Sequence, residues 1–381
     1  MASASNMATV EVDLGPAGNY VNGMFTTVTI CVPGSTTNCV QVPNVLVDTG
    51  SEGLRVLSSA LGNVSLPSIT DSSGNVLQEC VQFTDPSYVW GPVAQADIQM
   101  AGERGSSVPV QIISASPAYA VPSSCLSGSS SSLVDDNTVQ TLGANGILGI
   151  GNFPQDCGSA CASASNGIPM YYVCPSGNCQ IASVPVAQQL WNPVALFAQD
   201  NNGVLLSLPS IPAGGQATVS GSLIFGVGTQ SNNALGSAQI YATDASGSFT
   251  TTYNGVQYSN SFIDSGSNAL YFLDSATLGN IDCADNPGFY CPASTRNFTV
   301  TNTGANGTTG QVTFSIANAD TLFPSATFAA FNDLGGDSGT GPSTDYFDFG
   351  LPFFYNRSVF VGIAGTKIPN GTNAPNGYWA Y

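Results

Sequence analysis

The chain has 381 residues, 43% of them hydrophobic, enough for two lobes with cores of their own; despite 43 Gly and 23 Pro, the composition is not that of a disordered chain. It carries 23 acidic and only 5 basic side chains and no histidine, for a net charge of -18. Nucleic acids and anionic membranes are poor partners for that balance, no run is long enough to span a membrane, and no Ser-His-Asp or Cys-His nucleophile can be assembled.

Residues 1–17 read as a leader strand or tail. Their start, Met1-Ala2-Ser3-Ala4-Ser5, lacks the basic and apolar regions of a signal peptide. Asn19 to Val32 alternates apolar and polar residues, the mark of a half-buried strand. A turn over 33–38 leads into a second strand, Cys39 to Val47, which ends at Asp48. Glu52-Gly53-Leu54-Arg55-Val56 follows. Two strands around Thr84-Asp85-Pro86-Ser87 read as a hairpin, the second running from Tyr88 to Met100. Gly143 to Gly151 is apolar and glycine-rich, and the Cys-rich stretch 157–179 reads as a stapled surface excursion. From Val184 to Asn201, Val186, Leu190, Val194 and Phe197 have helical spacing, with Pro193 interrupting. Strands are expected at Gly221–Gly226, Ala238–Ala242 and Ser248–Val256, then strand, turn and strand over Asn297–Ile316. Segment 333–344 reads as an exposed loop, before the apolar runs Asp348–Phe354 and Arg357–Ile363.

The ten cysteines are an even count and suggest disulfides formed in an oxidising compartment. Cys31 and Cys39 flank a hairpin tip and are expected to pair; Cys283 and Cys291 are spaced alike and are expected to pair too. Cys157, Cys161, Cys174 and Cys179 cluster, with all three pairings open, and Cys80 and Cys125 are left for each other. A zinc site built from the four clustered cysteines is the rival arrangement.

One stretch occurs twice. Val45-Leu46-Val47-Asp48-Thr49-Gly50-Ser51 is echoed by Ser261-Phe262-Ile263-Asp264-Ser265-Gly266-Ser267. Each apolar run reads as a buried strand that delivers an Asp at its end, and the Gly lets the backbone turn and another chain come close. Two such carboxylates, one from each half-chain, could meet and share a proton. These loops resemble the two active-site loops of the pepsin-like aspartic proteases. The apolar-Gly strands at Ile147-Leu148-Gly149 and Asp348-Phe349-Gly350, and the strands Gly221–Gly226 and Arg357–Ile363, extend the resemblance over about residues 19 to 365. The match is to a divergent branch of that family, such as a bacterial one.

The resemblance implies an all-β, two-lobed pepsin-like fold with pseudo-two-fold symmetry and a central cleft. Residues 1–190 would form the N-terminal lobe with the Asp48 loop and a flap hairpin, and residues 191–381 the C-terminal lobe with the Asp264 loop. Asp48 and Asp264 would be the catalytic pair of an endopeptidase active in acid, with no metal or cofactor. Thr49 and Ser265 would cross-link the loops. Ser51 and Ser267 would bond the outer carboxylate oxygens, and Gly50 and Gly266 would offer backbone groups.

Two departures from the family pattern stand out. Arg55 occupies the usual tryptophan position, where it would lower the pair's pKa or else turn outward to Glu52. Phe83 takes the flap tyrosine's place, so Tyr88 or Trp90 would have to supply the missing hydroxyl or N–H, and all three would wall an apolar cleft. The alternative is a catalytically weak pepsin-fold binding or inhibitor-like module. A peptide or protein substrate, a monomeric state and a secreted or extracytoplasmic location complete the expectation. A chain with no histidine to charge also has little to lose in acid, although an acidic surface can serve solubility alone.

Overall fold

The structure is a computed structural model that describes residues 6–127, 133–163, 166–325, 327–338, 346–369, 371–372 and 374–381. The fold is all-β. Among the described residues, α-helix is confined to two single turns, Val139–Leu142 and Ala319–Leu322. Strand Met7–Asp13 joins the two halves, pairing with Gly23–Cys31 on one edge and with Val219–Phe225 on the other. Strands of both halves thereby enter one 16-stranded sheet, and a separate seven-stranded sheet completes the second half.

The same local topology builds both Asp loops. Cys39–Asp48 runs parallel to Gly146–Ile150, and Glu52–Leu57 returns antiparallel on the other edge of that strand. In the second half Val256–Ile263 runs parallel to Phe347–Phe349, and Leu270–Phe272 returns antiparallel. The registers correspond as well: Leu46 lies opposite Ile147, and Phe262 opposite Asp348. This repetition is the pseudo-two-fold symmetry, and a cleft lies between the halves.

The two halves pack differently. The first is aliphatic, with Val28, Ile30, Val45, Val47 and Val56 buried. The second is aromatic, with the Phe272 ring 5.0 Å from that of Phe298 and 5.3 Å from that of Phe347. Each such side chain contributes about 1.5–3 kcal/mol by leaving water.

Two expectations are corrected here. Val184–Asn201 is not a helix but two 3-10 turns, Val186–Gln188 and Pro193–Leu196. Proline at 193 blocks the helical bond to the preceding turn and starts the second segment afresh. Residues 333–336 are not exposed loop: Leu334 is buried and Gly335–Gly336 is a short strand beside Leu270–Phe272. The rest of that expected loop, 339–344, lies outside the described residues.

All ten cysteines are paired, as Cys31–Cys39, Cys80–Cys125, Cys157–Cys161, Cys174–Cys179 and Cys283–Cys291. The clustered four therefore form two short loops rather than a zinc site. Thiol titration of unfolded, unreduced protein is expected to find no free thiol. Detecting two or more per chain would contradict this bonding pattern.

Candidate active site

Asp48 and Asp264 sit where their strands end, and a symmetric brace joins their loops. The Thr49 hydroxyl donates to the main-chain oxygen of Ile263 (3.1 Å) and accepts from the Ser265 N–H (2.9 Å). The Ser265 hydroxyl donates to the oxygen of Val47 (2.7 Å) and accepts from the Thr49 N–H (3.1 Å). Both side chains are buried, so water does not compete for these bonds.

The brace brings the two carboxyl groups close together, each against the glycine of the other loop. Asp48 accepts from the Gly50 N–H (2.8 Å) and from the Ser51 hydroxyl. Asp264 accepts from the Gly266 N–H (2.7 Å) and the Ser267 hydroxyl (2.9 Å). No side chain fits at either glycine. A Cβ on Gly50 would lie 2.5 Å from Cγ of Asp264, and one on Gly266 2.8 Å from Oδ1 of Asp48. Burial pushes the Asp264 carboxyl well above the ordinary carboxylate range, and the neighbouring Asp48 and Asp348 push it further. Two carboxyls this close cannot both ionise cheaply.

Further acids line the same cleft, which encloses about 720 Å³. Glu52 accepts from the Phe153 N–H at 3.1 Å. Burial lifts its carboxyl from the usual 4.5 to about 8, Asp48 adds to the rise, and Arg55 and the Phe153 bond oppose it. Arg55 corrects both sequence expectations. It is buried and ion-paired with Glu79 (2.7 Å) and Asp156 (3.4 Å), and it reaches only the main-chain oxygen of Glu52 (2.7 Å). Burial works against its charge, but Glu79 and Asp156 outweigh that and hold its pKa above the ordinary value. Asp156 is pushed well up by burial and by Glu79, to which it is hydrogen-bonded. Arg55 is thus engaged by two buried carboxyls, Glu79 and Asp156. That leaves no free cation to depress the central pair.

The hairpin of Leu77–Gln82 and Ser87–Met100 overhangs the cleft. Phe83 lines the cleft, but Tyr88 and Trp90 do not. Tyr88 pairs across the hairpin with Gln82 and Trp90 with Cys80, which puts both on the opposite face from Phe83. There they pack with Tyr172 among the Cys80–Cys125 and Cys174–Cys179 bridges, and the Trp90 N–H donates to the Tyr119 oxygen at 3.0 Å. Tyr20 lines the cleft instead. Its ring fills the space that a Cβ on Gly23 or Gly143 would take, and it packs with Phe83 on the cluster of Leu46, Leu142 and Ile147. Burial raises its phenol pKa, with Asp48, Asp85 and Asp264 adding to the rise. No sequence signal beyond an aromatic next to a glycine turn marks Tyr20. Asp348, also in this cleft, appeared in sequence only as part of an apolar-Gly strand.

The architecture is that of the pepsin-like aspartic proteinases. An aspartic proteinase from Irpex lacteus superposes with a TM-score of 0.54 over 98% of this chain and 96% of its own, at 13% identity, a likeness of fold. The chain belongs to the family described as "Protein of unknown function (DUF3443)", whose profile matches residues 2–381. No curated protein matches it in sequence.

Two outcomes follow from these charges. Glu52 and Asp136, the latter lifted by burial from 3.8 to about 6, bind protons more tightly folded than unfolded. Their stabilisation is present in acid and is lost as pH rises, from 3.8 to about 6 for Asp136 and from 4.5 to about 8 for Glu52. Thermal melts against pH are expected to show Tm falling through that window, and Glu52→Gln should flatten the upper part of the fall. A Tm that rises steadily through it would contradict the assignment. Arg55→Met leaves the buried Glu79 and Asp156 without their cation. Denaturant titration near neutral pH is expected to show a loss of about 3–5 kcal/mol.

Proposed function

We propose that this protein is an aspartic endopeptidase. The observation that carries the proposal is the close Asp48–Asp264 pair, supported from two repeated loops that line one open cleft. The pair holds one proton, drawn toward Asp264 by its surroundings. A water between the two gives a proton to Asp48 and attacks the peptide carbonyl carbon. Asp264 gives its proton to the carbonyl oxygen. The tetrahedral intermediate collapses as its C–N bond breaks: the proton taken by Asp48 passes to the leaving nitrogen, and a hydroxyl proton of the intermediate returns to Asp264, which restores the starting pair. No covalent intermediate forms.

An extended peptide is the substrate that fits. Leu46, Leu142, Ile147 and Phe83 supply an apolar wall beside the pair, and the flap hairpin lies over it. Residues 1–190 and 191–381 are proposed as the two lobes that bring one Asp each. Five disulfides, with no helix among the described residues long and apolar enough to cross a membrane, support a location outside the cytosol. The net charge of -18 argues against nucleic acid as a partner, and the working form is taken as a monomer. Phe83 in place of a flap tyrosine favours a second reading, a peptide-binding module with little catalysis.

Asp48→Asn and Asp264→Asn test both readings. Asn keeps the shape and most loop hydrogen bonds but cannot cycle a proton. Each variant is expected to stay folded by circular dichroism and to lose cleavage of an unfolded protein by at least about 10²–10⁴-fold. Wild-type activity should fall as pH rises and the pair loses its shared proton. A folded Asn variant with wild-type activity would end the two-carboxylate mechanism. A wild type that binds peptides without cutting them at any pH would establish the binding module.

A further inference from the structure

Ser267 has one hydroxyl proton and two carboxyl neighbours. Its Oγ lies 2.9 Å from Oδ2 of Asp264 and 2.6 Å from Oδ2 of Asp348. A serine hydroxyl donates once and accepts through its lone pairs. Both contacts are therefore favourable only if one carboxyl is protonated and donates to Oγ. Asp348 meets the requirements of that donor. It is 4% exposed, and among the described residues no cation pairs with it. Its Oδ1 is buried without a hydrogen-bond partner, which a neutral acid tolerates and a carboxylate does not.

The groups that face Asp348 from the packed elements are Asp264 and Ser267 on the adjoining loop, Asp48 on the opposite loop, Tyr271 on Leu270–Phe272, and Tyr346 just before its own strand. All the titratable ones are acids. Burial and the nearby Asp48 accordingly hold the Asp348 proton on, against the pull of Ser267. The fold does not demand a carboxyl here. Strand register makes Asp348 the counterpart of Ile147, since Leu46 pairs with Ile147 and Phe262 with Asp348. The acid breaks the symmetry of the two loops on the Asp264 side alone.

We propose that Asp348 is a neutral third carboxyl of this centre, a positioning residue whose O–H donates to Ser267 and turns the Ser267 hydroxyl proton onto Asp264. Its protonation stands on the geometry alone, and its catalytic consequence rests on the protease reading above. When Asp264 gives its proton to the substrate oxygen, negative charge appears on Asp264. The chain from Asp348 O–H to Ser267 O–H to Asp264 already points at that charge and strengthens as it forms. No proton needs to move along the chain. Once Asp348 ionises, Ser267 loses its donor and a third negative charge crowds the pair, so activity falls on the alkaline side.

Two substitutions separate the parts of this proposal. Asp348→Asn keeps a donor to Ser267 and cannot ionise, whereas Asp348→Ile copies the first half and removes the donor. The first measurement needs no activity. Infrared difference spectra of wild type against Asp348→Asn, at a pH above the ordinary carboxylate range, are expected to show a lost protonated-acid carbonyl band. The second is the pH dependence of kcat for cleavage of an unfolded protein, with circular dichroism as the folding check. Asp348→Ile is expected to lower kcat about 10- to 100-fold with KM little changed. Asp348→Asn should keep kcat in acid within about threefold and extend activity to higher pH. An unchanged infrared band would overturn the proposal, as would an Asp348→Asn loss equal to that of Asp348→Ile, or a wild-type pH profile in Asp348→Ile. If none of the proteins cleaves peptide, the protease reading fails while the infrared result still decides where the proton is.

Discussion

Two carboxyl groups held in contact repel one another whenever both are charged, and the brace between Thr49 and Ser265 is what resists that repulsion. It uses four hydrogen bonds, all buried, and each hydroxyl both donates and accepts. The bonds terminate on main-chain groups of Val47, Ile263 and the loop residues themselves, so any shift of one loop disturbs the other. The glycines beside the pair have the complementary role of leaving room for the opposite carboxylate. The core strands behind the loops, aliphatic in one half and aromatic in the other, give this brace a rigid base.

Protons take the place of cations through much of this interior. With five basic side chains in the whole chain, most buried acids have no counter-charge available. Arg55 serves both Glu79 and Asp156. Glu52, Asp264 and Asp348 are each pushed upward mainly by burial. A carboxyl in low dielectric without a cation is cheaper protonated than charged. The absence of histidine fits the same pattern, because acid then introduces no new buried positive charge.

Legibility in the sequence followed the range of the interaction. The Asp loops were readable because an apolar strand, an Asp and a Gly in a row impose their geometry locally. The cysteine hairpin at 31–39 was readable for the same reason. Tyr88 and Trp90 were misplaced because the turn was counted without its register. Pairing of Gln82 with Tyr88 and of Cys80 with Trp90 puts Tyr88 and Trp90 on the face opposite Phe83. Arg55 was misplaced because its partners, Glu79 and Asp156, come from a separate strand and a loop far along the chain. Pro193 marked the break in the expected helix, and its effect reached further than the spacing of Val186, Leu190, Val194 and Phe197 suggested.

By itself the sequence determined the all-β pattern, the duplication and the acid carried by each repeated loop. Those follow from residue order and residue type, which act over a few positions. Only the tertiary structure decided which groups surround the acids: Tyr20 in a slot between two glycines, Asp348 at the place of Ile147, and Arg55 turned to Glu79. Each of those depends on strands distant in sequence becoming neighbours. Burial then sets the charge of every acid they enclose, and burial is a property of the assembled fold.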